Sequence, residues 1–303
     1  MSLPLGFSPV GLVAFVLLTF AICTTVNTFA MEAAVLFTPA FLFVYPKLVP
    51  AFPDLALQGA IGLALFVELF GYTSSVTAFW LRGQVNWGIA KSILVVSIPV
   101  AIVARAVSYF VPSSALKMLF GGMLLVLSGI LYDAHRDGKS LSDWVSGTRL
   151  ESFLSSRDAV RTDGGTPVTQ FDGFDQAIAG VGGSMAGLVG IAIGELAQTL
   201  LTVRKKIPIR HSTGTSALVL HGTIVSALAA NLVLLRYAPA ALSGHHFTVP
   251  FGFGLVAGLT CIVGGQMGAL LNSRVPEKRT VQTMMVVYSL VGVLTLFRVI
   301  VLG

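Results

Sequence analysis

Long stretches of apolar residues, separated by short polar connections, dominate this chain of 303 residues. A helix needs about 20 apolar residues to cross a hydrocarbon core of about 30 Å, and eight stretches have roughly that length. They cover residues 10–30, 55–80, 88–111, 115–132, 176–201, 213–236, 249–272 and 280–301. The pattern predicts an all-α polytopic membrane protein with about eight transmembrane helices.

One polar stretch, residues 133–175, interrupts this pattern and holds eight of the thirteen acidic residues. Within it, Thr148 and Glu151 have the spacing of a capping box. A short amphipathic helix at the membrane interface and a flexible linker both fit this segment. The insert divides the chain into a first transmembrane repeat, residues 1–132, and a second transmembrane repeat, residues 176–303.

The two halves share residues at a nearly constant offset. Val111-Pro112 recurs as Val275-Pro276, 164 positions later, and Glu32 recurs as Glu195 at an offset of 163. Several matches of this kind predict two homologous four-helix halves. At the offset of 164, a stripe of small residues along one helix also recurs along another. Its members Ser97, Ala101, Ala104 and Ser108 match Cys261, Gly265, Gly268 and Asn272.

The number of crossings decides how such repeats are related. Four full crossings in each half make the repeats parallel, whereas a re-entrant segment near 31–46 or 195–207 leaves an odd number and inverts them.

With eight crossings the basic residues divide almost evenly between the two sides. Because bases distant from helix ends count less, we expect both termini and the insert outside the cytoplasm.

Composition excludes several classes of protein. The chain is 55% hydrophobic and 11% charged, and its net charge of +6 comes from bases dispersed among loops. Such an excess is typical of membrane topology and not of a nucleic-acid partner. No metal-ligand cluster and no paired transmembrane histidines suited to a haem are visible. We therefore expect no cofactor, no metal and no enzymatic activity.

Three glutamates, Glu32, Glu68 and Glu195, lie inside stretches that are otherwise almost wholly apolar. An ionised carboxylate at the bilayer centre costs roughly 2.5–3.5 kcal/mol on insertion scales, so residues of this kind usually serve a function. A buried glutamate can be neutral when it faces protein and ionised when it faces water. We expect Glu195, with its repeat mate Glu32 and with Glu68 nearby, to couple protons to transport. The alternative is three neutral, hydrogen-bonded groups that clamp helices together.

Helix interruptions accompany these glutamates. Proline or glycine frees backbone groups in a spanning helix, and helix N-termini attract anions through free N–H groups and the helix dipole. Discontinuous helices of transporters present such ends to substrates near the midplane. The predicted substrate or ion site comprises the glutamates and the polar or helix-breaking residues near them, namely Glu32, Pro39, Glu68, Gly71, Gly194, Glu195, Gln198, Thr199, Thr213, Gly214, Thr215 and Ser216. Arg105 lies deeper in its helix than other bases, and a glutamate or an anion would suit it as a partner.

Several short motifs resemble those of a known family. The run Gly187-Leu-Val-Gly-Ile-Ala-Ile-Gly194, then Lys206-Ile-Pro-Ile-Arg210 and Ser212-Thr-Gly-Thr-Ser-Ala217, resembles the second-half signature of the TauE/SafE sulfite-exporter-like permeases. In the first half, Pro39 and Arg82-Gly-Gln-Val-Asn-Trp87 resemble the partner motif. The resemblance covers essentially the whole chain outside the insert.

The resemblance implies a transporter of two related halves, often with eight helices, that moves small anions such as sulfite or organosulfonates. Carried over by position, Gly194, Pro208, Thr213, Gly214, Thr215 and Ser216 match family motif positions. Glu195 and Glu32 stand where the family usually has glycine. A carboxylate there would repel an anion unless it is protonated.

We therefore expect a secondary transporter of small anions, coupled to protons through Glu195 and Glu32, in a cell membrane such as the bacterial inner membrane. A proton- or cation-linked permease for a different small solute is the alternative, and a membrane enzyme or electron-transfer subunit fits less well. No Walker motif is present, so the chain does not supply its own ATP hydrolysis. The expected partners are the solute, protons and the lipid bilayer. The oligomeric state stays open.

Overall fold

Ten helical elements and one small hairpin make up the part of the chain described by the computed structural model, which covers residues 7–29, 31–136, 161–163, 166–168, 171–205, 207, 209–237, 249–272 and 274–302. The helices are α1 (Pro9–Thr28), α2 (Ala34–Leu48), α3 (Leu57–Leu81), α4 (Trp87–Ser108), α5 (Ser113–Arg136), α6 (Gly173–Val189), α7 (Ile193–Thr199, extended by the turn Leu200–Arg204), α8 (Ile209–Tyr237), α9 (Phe251–Asn272) and α10 (Glu277–Leu302). In the insert, β1 (Arg161–Asp163) pairs antiparallel with β2 (Thr166–Val168).

Among the described residues, seven helices are long and apolar enough to cross a membrane, close to the eight that the sequence predicts. These are α1, α3, α4, α5, α8, α9 and α10. Helix α6, with 17 residues, falls just short of that length. The prediction of an all-α polytopic membrane protein is confirmed.

The predicted single helix over residues 176–201 is two helices. Gly190 and Ala192 have φ angles of 78° and 88°, in the left-handed region, and the chain therefore leaves α6 and begins α7 in a new direction. Glycine adopts this region freely, but an alanine there is strained by roughly 1–2 kcal/mol. Such strain persists only where surrounding contacts hold it.

The segment at 31–46, which the sequence allowed to be a re-entrant segment, contains most of the short helix α2. Pro39 lies inside it and is followed by a π-helical turn, Ala40–Val44. Proline lacks the N–H that would continue the hydrogen-bond ladder, and the wider turn accommodates the break. The corresponding turn Leu200–Arg204 ends α7, so both short helices are irregular at the same end.

Helices α1 and α9 run parallel, since Phe15 near the start of α1 contacts Phe253 near the start of α9, and Asn272 at the end of α9 donates to the Thr28 carbonyl. Helix α2 runs back along α1. Its first N–H groups lie in the middle of the bundle, and its Tyr45 hydroxyl lies 2.7 Å from the hydroxyl of Thr19.

Helices α4, α6 and α8 form a second parallel group. Ser97 packs against Gly183 of α6 and lies 2.9 Å from the Thr223 hydroxyl of α8. The start of α8 reaches the connection between α3 and α4, where the Asn86 N–H donates to Thr215. Helix α8 therefore runs antiparallel to α3.

With α2 and α7 running back through the bundle, each half passes through it an odd number of times. Helix α5 runs antiparallel to α10, with Ser128 beside Ser289 and Gly121 beside Leu296. The end of α5 and the start of α6 consequently lie on the side opposite the start of α1. The expectation of termini and insert on one side, which assumed eight full crossings, is therefore corrected. That the halves descend from one duplicated unit stays a prediction.

Glycines without side chains bring α4 and α6 together. A Cβ at Gly187 would lie 2.3 Å from the Ala101 carbonyl oxygen and 2.7 Å from the Ala104 Cβ. Apolar burial drives little helix association in lipid, so close backbone approach of this kind carries the packing. The predicted small-residue stripe of α4 is thus a helix contact, in which Ser97 meets Gly183 and Ala101 and Ala104 meet Gly187.

We expect Gly187→Ala to destabilise the protein by at least the roughly 1–3 kcal/mol typical of overpacking, because the new methyl group meets backbone that cannot turn aside. Gly180→Ala on the same helix is the matched control, since its Cβ would lie 3.8 Å from Val96. Thermal unfolding midpoints of the two purified variants in one detergent measure the difference. Equal midpoints would show that the α4–α6 contact tolerates a wider spacing.

Candidate functional site

The N-terminal ends of α2 and α7 meet in the interior, and carboxylates occupy both. Backbone N–H groups in the first turn of a helix have no partner within the helix and must find one elsewhere. In lipid no water is available to supply it. Two buried glutamates, Glu32 and Glu68, accept such bonds, and the half-buried Glu195 accepts a backbone N–H just before α2.

Glu32 binds the start of α7. Its carboxylate accepts the N–H of Ala192 and, at 2.6 Å, that of Gly194. Ala192, with its left-handed φ, lies at the turn where the chain enters α7. The side chain is 2% exposed, so its bonds to α7 are made in a nearly dry environment. Charge-assisted hydrogen bonds to backbone N–H groups are among the stronger ones in proteins.

Glu195 reaches back in the opposite direction. Its Oε1 accepts the Tyr288 hydroxyl at 2.5 Å and the Glu32 N–H at 3.3 Å. The two glutamates of the predicted repeat pair thus cross-link the two breaks, each accepting a backbone N–H from the other's segment. The second oxygen, Oε2, is buried and has no hydrogen-bond partner among the described residues.

Glu68, from the middle of α3, binds the start of α2. Its Oε1 accepts the N–H of Ala34, while its Oε2 is buried without a partner in the described part of the chain. Tyr72, one turn further along α3, donates to the Met31 carbonyl at 3.1 Å. Both contacts fix the entry to α2.

No lysine, arginine or histidine pairs with these carboxylates in the part of the chain that the structure describes. The ion pairs found there join Arg204 and Lys205 to acids near the start of α6. Carboxylates this close together in a low-dielectric site repel one another when they are ionised.

A cavity opens from the carboxylates toward the end of the bundle where α3 ends and α8 begins. Six apolar residues line part of it, and polar side chains lie between them. The polar side chains in its lining are Asn27, Glu32, Tyr72, Ser75, Glu195, Gln198, Thr213, Ser216 and Asn272, and the Gly194 backbone lies there too. Gln198 donates to the Thr213 hydroxyl at 3.3 Å across α7 and α8.

The predicted site residues divide into two groups. The cavity brings together Glu32, Gly194, Glu195, Gln198, Thr213 and Ser216. Glu68, Pro39, Gly71, Thr199, Gly214 and Thr215 are not among its lining residues. Gly214 and Thr215 instead hold α8 against the α3–α4 connection, and a Cβ at Gly214 would meet the Gln84 carbonyl at 2.5 Å.

Sequence reasoning missed Tyr288, Asn27 and Tyr72. Tyr288 is wholly buried in α10, a helix that otherwise reads as apolar, and its hydroxyl is the closest partner of Glu195. A tyrosine flanked by apolar residues gives no periodic signal. Its need for a hydrogen-bond partner when buried was the one available indication.

A capping box begins α6. Asp172 accepts the N–H groups of Phe174 and Asp175, and the Asp175 carboxylate accepts the Asp172 N–H. Thr148 and Glu151, where the sequence predicted such a box, lie outside the described residues.

The same aspartates hold the far end of α7. Asp175, wholly buried, lies 2.6 Å from both Arg204 Nε and Lys205 Nζ, and Arg204 also pairs with Asp172. Because α7 carries Glu195 at its other end, this ion-pair cluster fixes where that carboxylate stands.

Together these features define a helical membrane protein in which two discontinuous helices meet at a polar cavity, an architecture typical of transporters. The chain belongs to the sulfite exporter TauE/SafE family, whose profile matches residues 14–296. It is also similar to the protein of Bacillus subtilis (strain 168) called probable membrane transporter protein YunE. The two are 23% identical over 274 residues, which cover 89% of this chain and 91% of the relative. No solved structure matches the chain.

The chain is therefore a multi-pass membrane transporter of the cell membrane. The resemblance read from the sequence is confirmed at the level of the family. Which of the lining residues bind the solute stays a prediction.

We expect acid to weaken the capping box. The Asp175 N–H, and to a smaller extent the positive charge of Arg204, hold the pKa of Asp172 below its ordinary value. A carboxylate whose pKa is lowered on folding stabilises the fold above its unfolded pKa, and that contribution is lost as the pH falls through the folded pKa. The thermal midpoint should thus fall between about pH 5 and pH 3, and fall less in Asp172→Asn. Asp54→Asn, at an exposed acid, is the control, and identical pH profiles for all three proteins would contradict this account.

Proposed function

We propose that this transporter moves a small anion, such as sulfite or an organosulfonate, together with a proton that is carried by the Glu32–Glu195 pair. The observation that carries the proposal is the position of the Glu32 carboxylate. It accepts the N–H groups of Ala192 and Gly194, the donors that a helix N-terminus would otherwise offer to a bound anion.

Substrate anion and glutamate carboxylate thus compete for the same donors. While Glu32 is ionised it fills the start of α7 and repels an incoming anion. Once Glu32 is protonated, its hold on the two N–H groups weakens, because charge-assisted bonds are roughly twice as strong as neutral ones. An anion can then take the carboxylate's place without a second negative charge entering the site.

This competition couples the two species thermodynamically. Because the anion binds the protonated site better, anion binding must draw a proton onto the protein, and protonation must strengthen anion binding by the same factor. The loaded transporter then holds one anion and one extra proton. Both leave on the same side, so they move in the same direction.

The cavity offers groups that suit an oxyanion. Beside the Gly194 N–H lie the hydroxyls of Thr213 and Ser216 and the amide of Gln198. Each of these can donate a hydrogen bond to a sulfite or sulfonate oxygen. Tyr288 keeps Glu195 in place beneath them.

The proposal predicts proton uptake on substrate binding. Purified protein in weakly buffered detergent is mixed with an organosulfonate such as methanesulfonate, whose sulfonate group stays ionised, and an indicator dye reports the pH. We expect the wild type to take up close to one proton for each anion bound, and binding to weaken as the pH rises. Glu32→Gln should bind the anion with little proton uptake, and Glu195→Gln should lose anion accumulation driven by a pH gradient in proteoliposomes.

Asp54→Asn serves as the control, because Asp54 is exposed and distant in sequence from both breaks. Proton uptake of the same size in Glu32→Gln and the wild type would overturn the role of Glu32. A pH gradient that still drives accumulation in Glu195→Gln would overturn its part in coupling. No anion binding at all, with proton or cation flux retained, would favour the alternative of a permease for a different solute, which the unpaired carboxylate oxygens would also suit.

We further infer that the insert side of the bundle faces the cytoplasm. Cytoplasmic connections carry an excess of lysine and arginine near helix ends. Among the described residues, that side has Arg82, Lys91, Arg136, Arg204, Lys205, Arg210, Arg274, Lys278 and Arg279, while helix ends on the opposite side have Lys47, Lys117, Arg236 and Arg298. The cavity, which opens toward the insert side, would then open to the cytoplasm.

Cysteine labelling tests this orientation, because both native cysteines are buried. In intact cells a membrane-impermeant maleimide should label Asp54→Cys on the termini side and leave Arg82→Cys on the insert side unlabelled. Both positions should be labelled after the membrane is opened. Labelling of Arg82→Cys alone in intact cells would reverse the orientation.

A further inference from the structure

Arg105 of α4 is wholly buried, and its guanidinium touches no carboxylate among the described residues. Its Nε and Nη2 donate to the Asn231 side-chain oxygen at 2.9 and 2.6 Å, and Nη2 also donates to the Gln58 carbonyl at 2.8 Å. The Tyr109 hydroxyl donates to the same Asn231 oxygen at 2.7 Å. A positive charge thus stands in the bundle with neutral partners only.

Two donors in this cluster are left over. Arg105 Nη1 and Asn231 Nδ2 are both buried and have no hydrogen-bond partner among the described residues. The Gly62 backbone lies directly against this cluster, since a Cβ there would lie 2.9 Å from Asn231 Nδ2 and 3.4 Å from Arg105 Nη2. Buried donors are almost always paired, so two unpaired donors beside an uncompensated cation indicate an acceptor with negative charge.

We propose that Arg105 and Asn231 form a second anion site, separate from the carboxylate cluster, on the side of the bundle opposite the cavity. The ligand is a small inorganic or sulfonate anion that accepts from Arg105 Nη1 and Asn231 Nδ2. A guanidinium presents paired N–H groups that match oxyanion geometry, and a buried arginine needs such a counter-charge in lipid.

The predicted repeat places this site on the transport path. At the offset of 164 that relates α4 to α9, Arg105 corresponds to Ala269, and Ala269 lines the cavity. Arg105 lies toward the side of the bundle opposite the cavity, and the residue that matches it in the predicted repeat lines the cavity. An anion crossing from the carboxylate cluster to that side would next meet Arg105. This last step rests on the proposed function, whereas anion binding at Arg105 does not.

Anion-dependent stabilisation of the purified protein tests the site. Thermal midpoints are measured with increasing chloride or methanesulfonate, at constant ionic strength maintained with gluconate. We expect the wild type to be stabilised by at least one of the two anions, and Glu32→Gln to keep that effect. Arg105→Gln should weaken the apparent affinity by about tenfold or more, as expected when a hydrogen bond from a charged group is lost.

Asn231→Asp provides a second variant that should fold even if Arg105→Gln does not. Its carboxylate would accept the bonds that Asn231 now accepts and supply the missing negative charge. The protein should therefore be stable without added anion, and its response to added anion should be smaller than that of the wild type. Arg298→Gln is the matched control, because Arg298 lies over the Phe43 ring, 4.0 Å from its centroid, and should leave the anion response unchanged.

An anion response of wild-type size in Asn231→Asp, or no response in the wild type, would overturn the second site. Failure of the proposed function would be seen in a different measurement. The protein would then take up no proton when the anion binds, while the thermal midpoint would still respond to anion through Arg105. The chloride and methanesulfonate arms distinguish a structural halide from the transported anion.

Discussion

The need to satisfy backbone N–H groups at two helix breaks inside the bundle governs the rest of this structure. Helix α2 and helix α7 both begin in the interior, where lipid and protein exclude water and every unpaired donor is costly. Glutamates meet the need, with Glu32 on α7 and Glu68 on α2. The contacts that hold the start of α7 also place the Glu32 carboxylate in the lining of the cavity.

Close helix packing makes this meeting of helix ends possible. Small residues let α4 approach α6 and let α9 approach α1, and a Cβ at Gly268 would lie 2.5 Å from that of Asn27. Each contact joins a helix of one half to a helix of the other. The halves are thereby interleaved and not side by side, so the two breaks, far apart in sequence, face each other across a few ångströms.

The sequence predicted the long elements well because a lipid-facing helix must be apolar over a fixed length. It also picked out Glu32 and Glu195 as a pair, and the structure brings them into contact. It placed a helix interruption beside Glu195 but did not locate the break at residues 190–192, because Ile191 and Ala192 look helical. The glycines at 183, 187 and 190 lie at helical spacings of four and three residues but have different roles, and only tertiary contacts distinguish a packing glycine from one at a turn.

Residues that act through one distant partner were the hardest to predict. Tyr288 gives no periodic signal, and its bond to Glu195 spans most of the second half. Nothing in the sequence links Arg204 and Lys205 to Asp175, yet both are nearly buried against it. The sequence singled out Arg105 by its depth in the helix and suggested a glutamate or an anion as its partner. In the structure the buried glutamates lie elsewhere in the bundle.

The two short helices are anchored by different physical means. The far end of α2 lies in a group of packed rings, with Tyr45 in contact with Phe15, Phe41 and Phe52, while the far end of α7 is held by ion pairs to Asp172 and Asp175. Salt screens the exposed part of the ion-pair anchor of α7 and has little effect on the aromatic anchor of α2. Cooling weakens the aromatic anchor more, because it depends on apolar burial. The two short helices therefore have unequal anchors, which differ in their sensitivity to ionic strength and temperature.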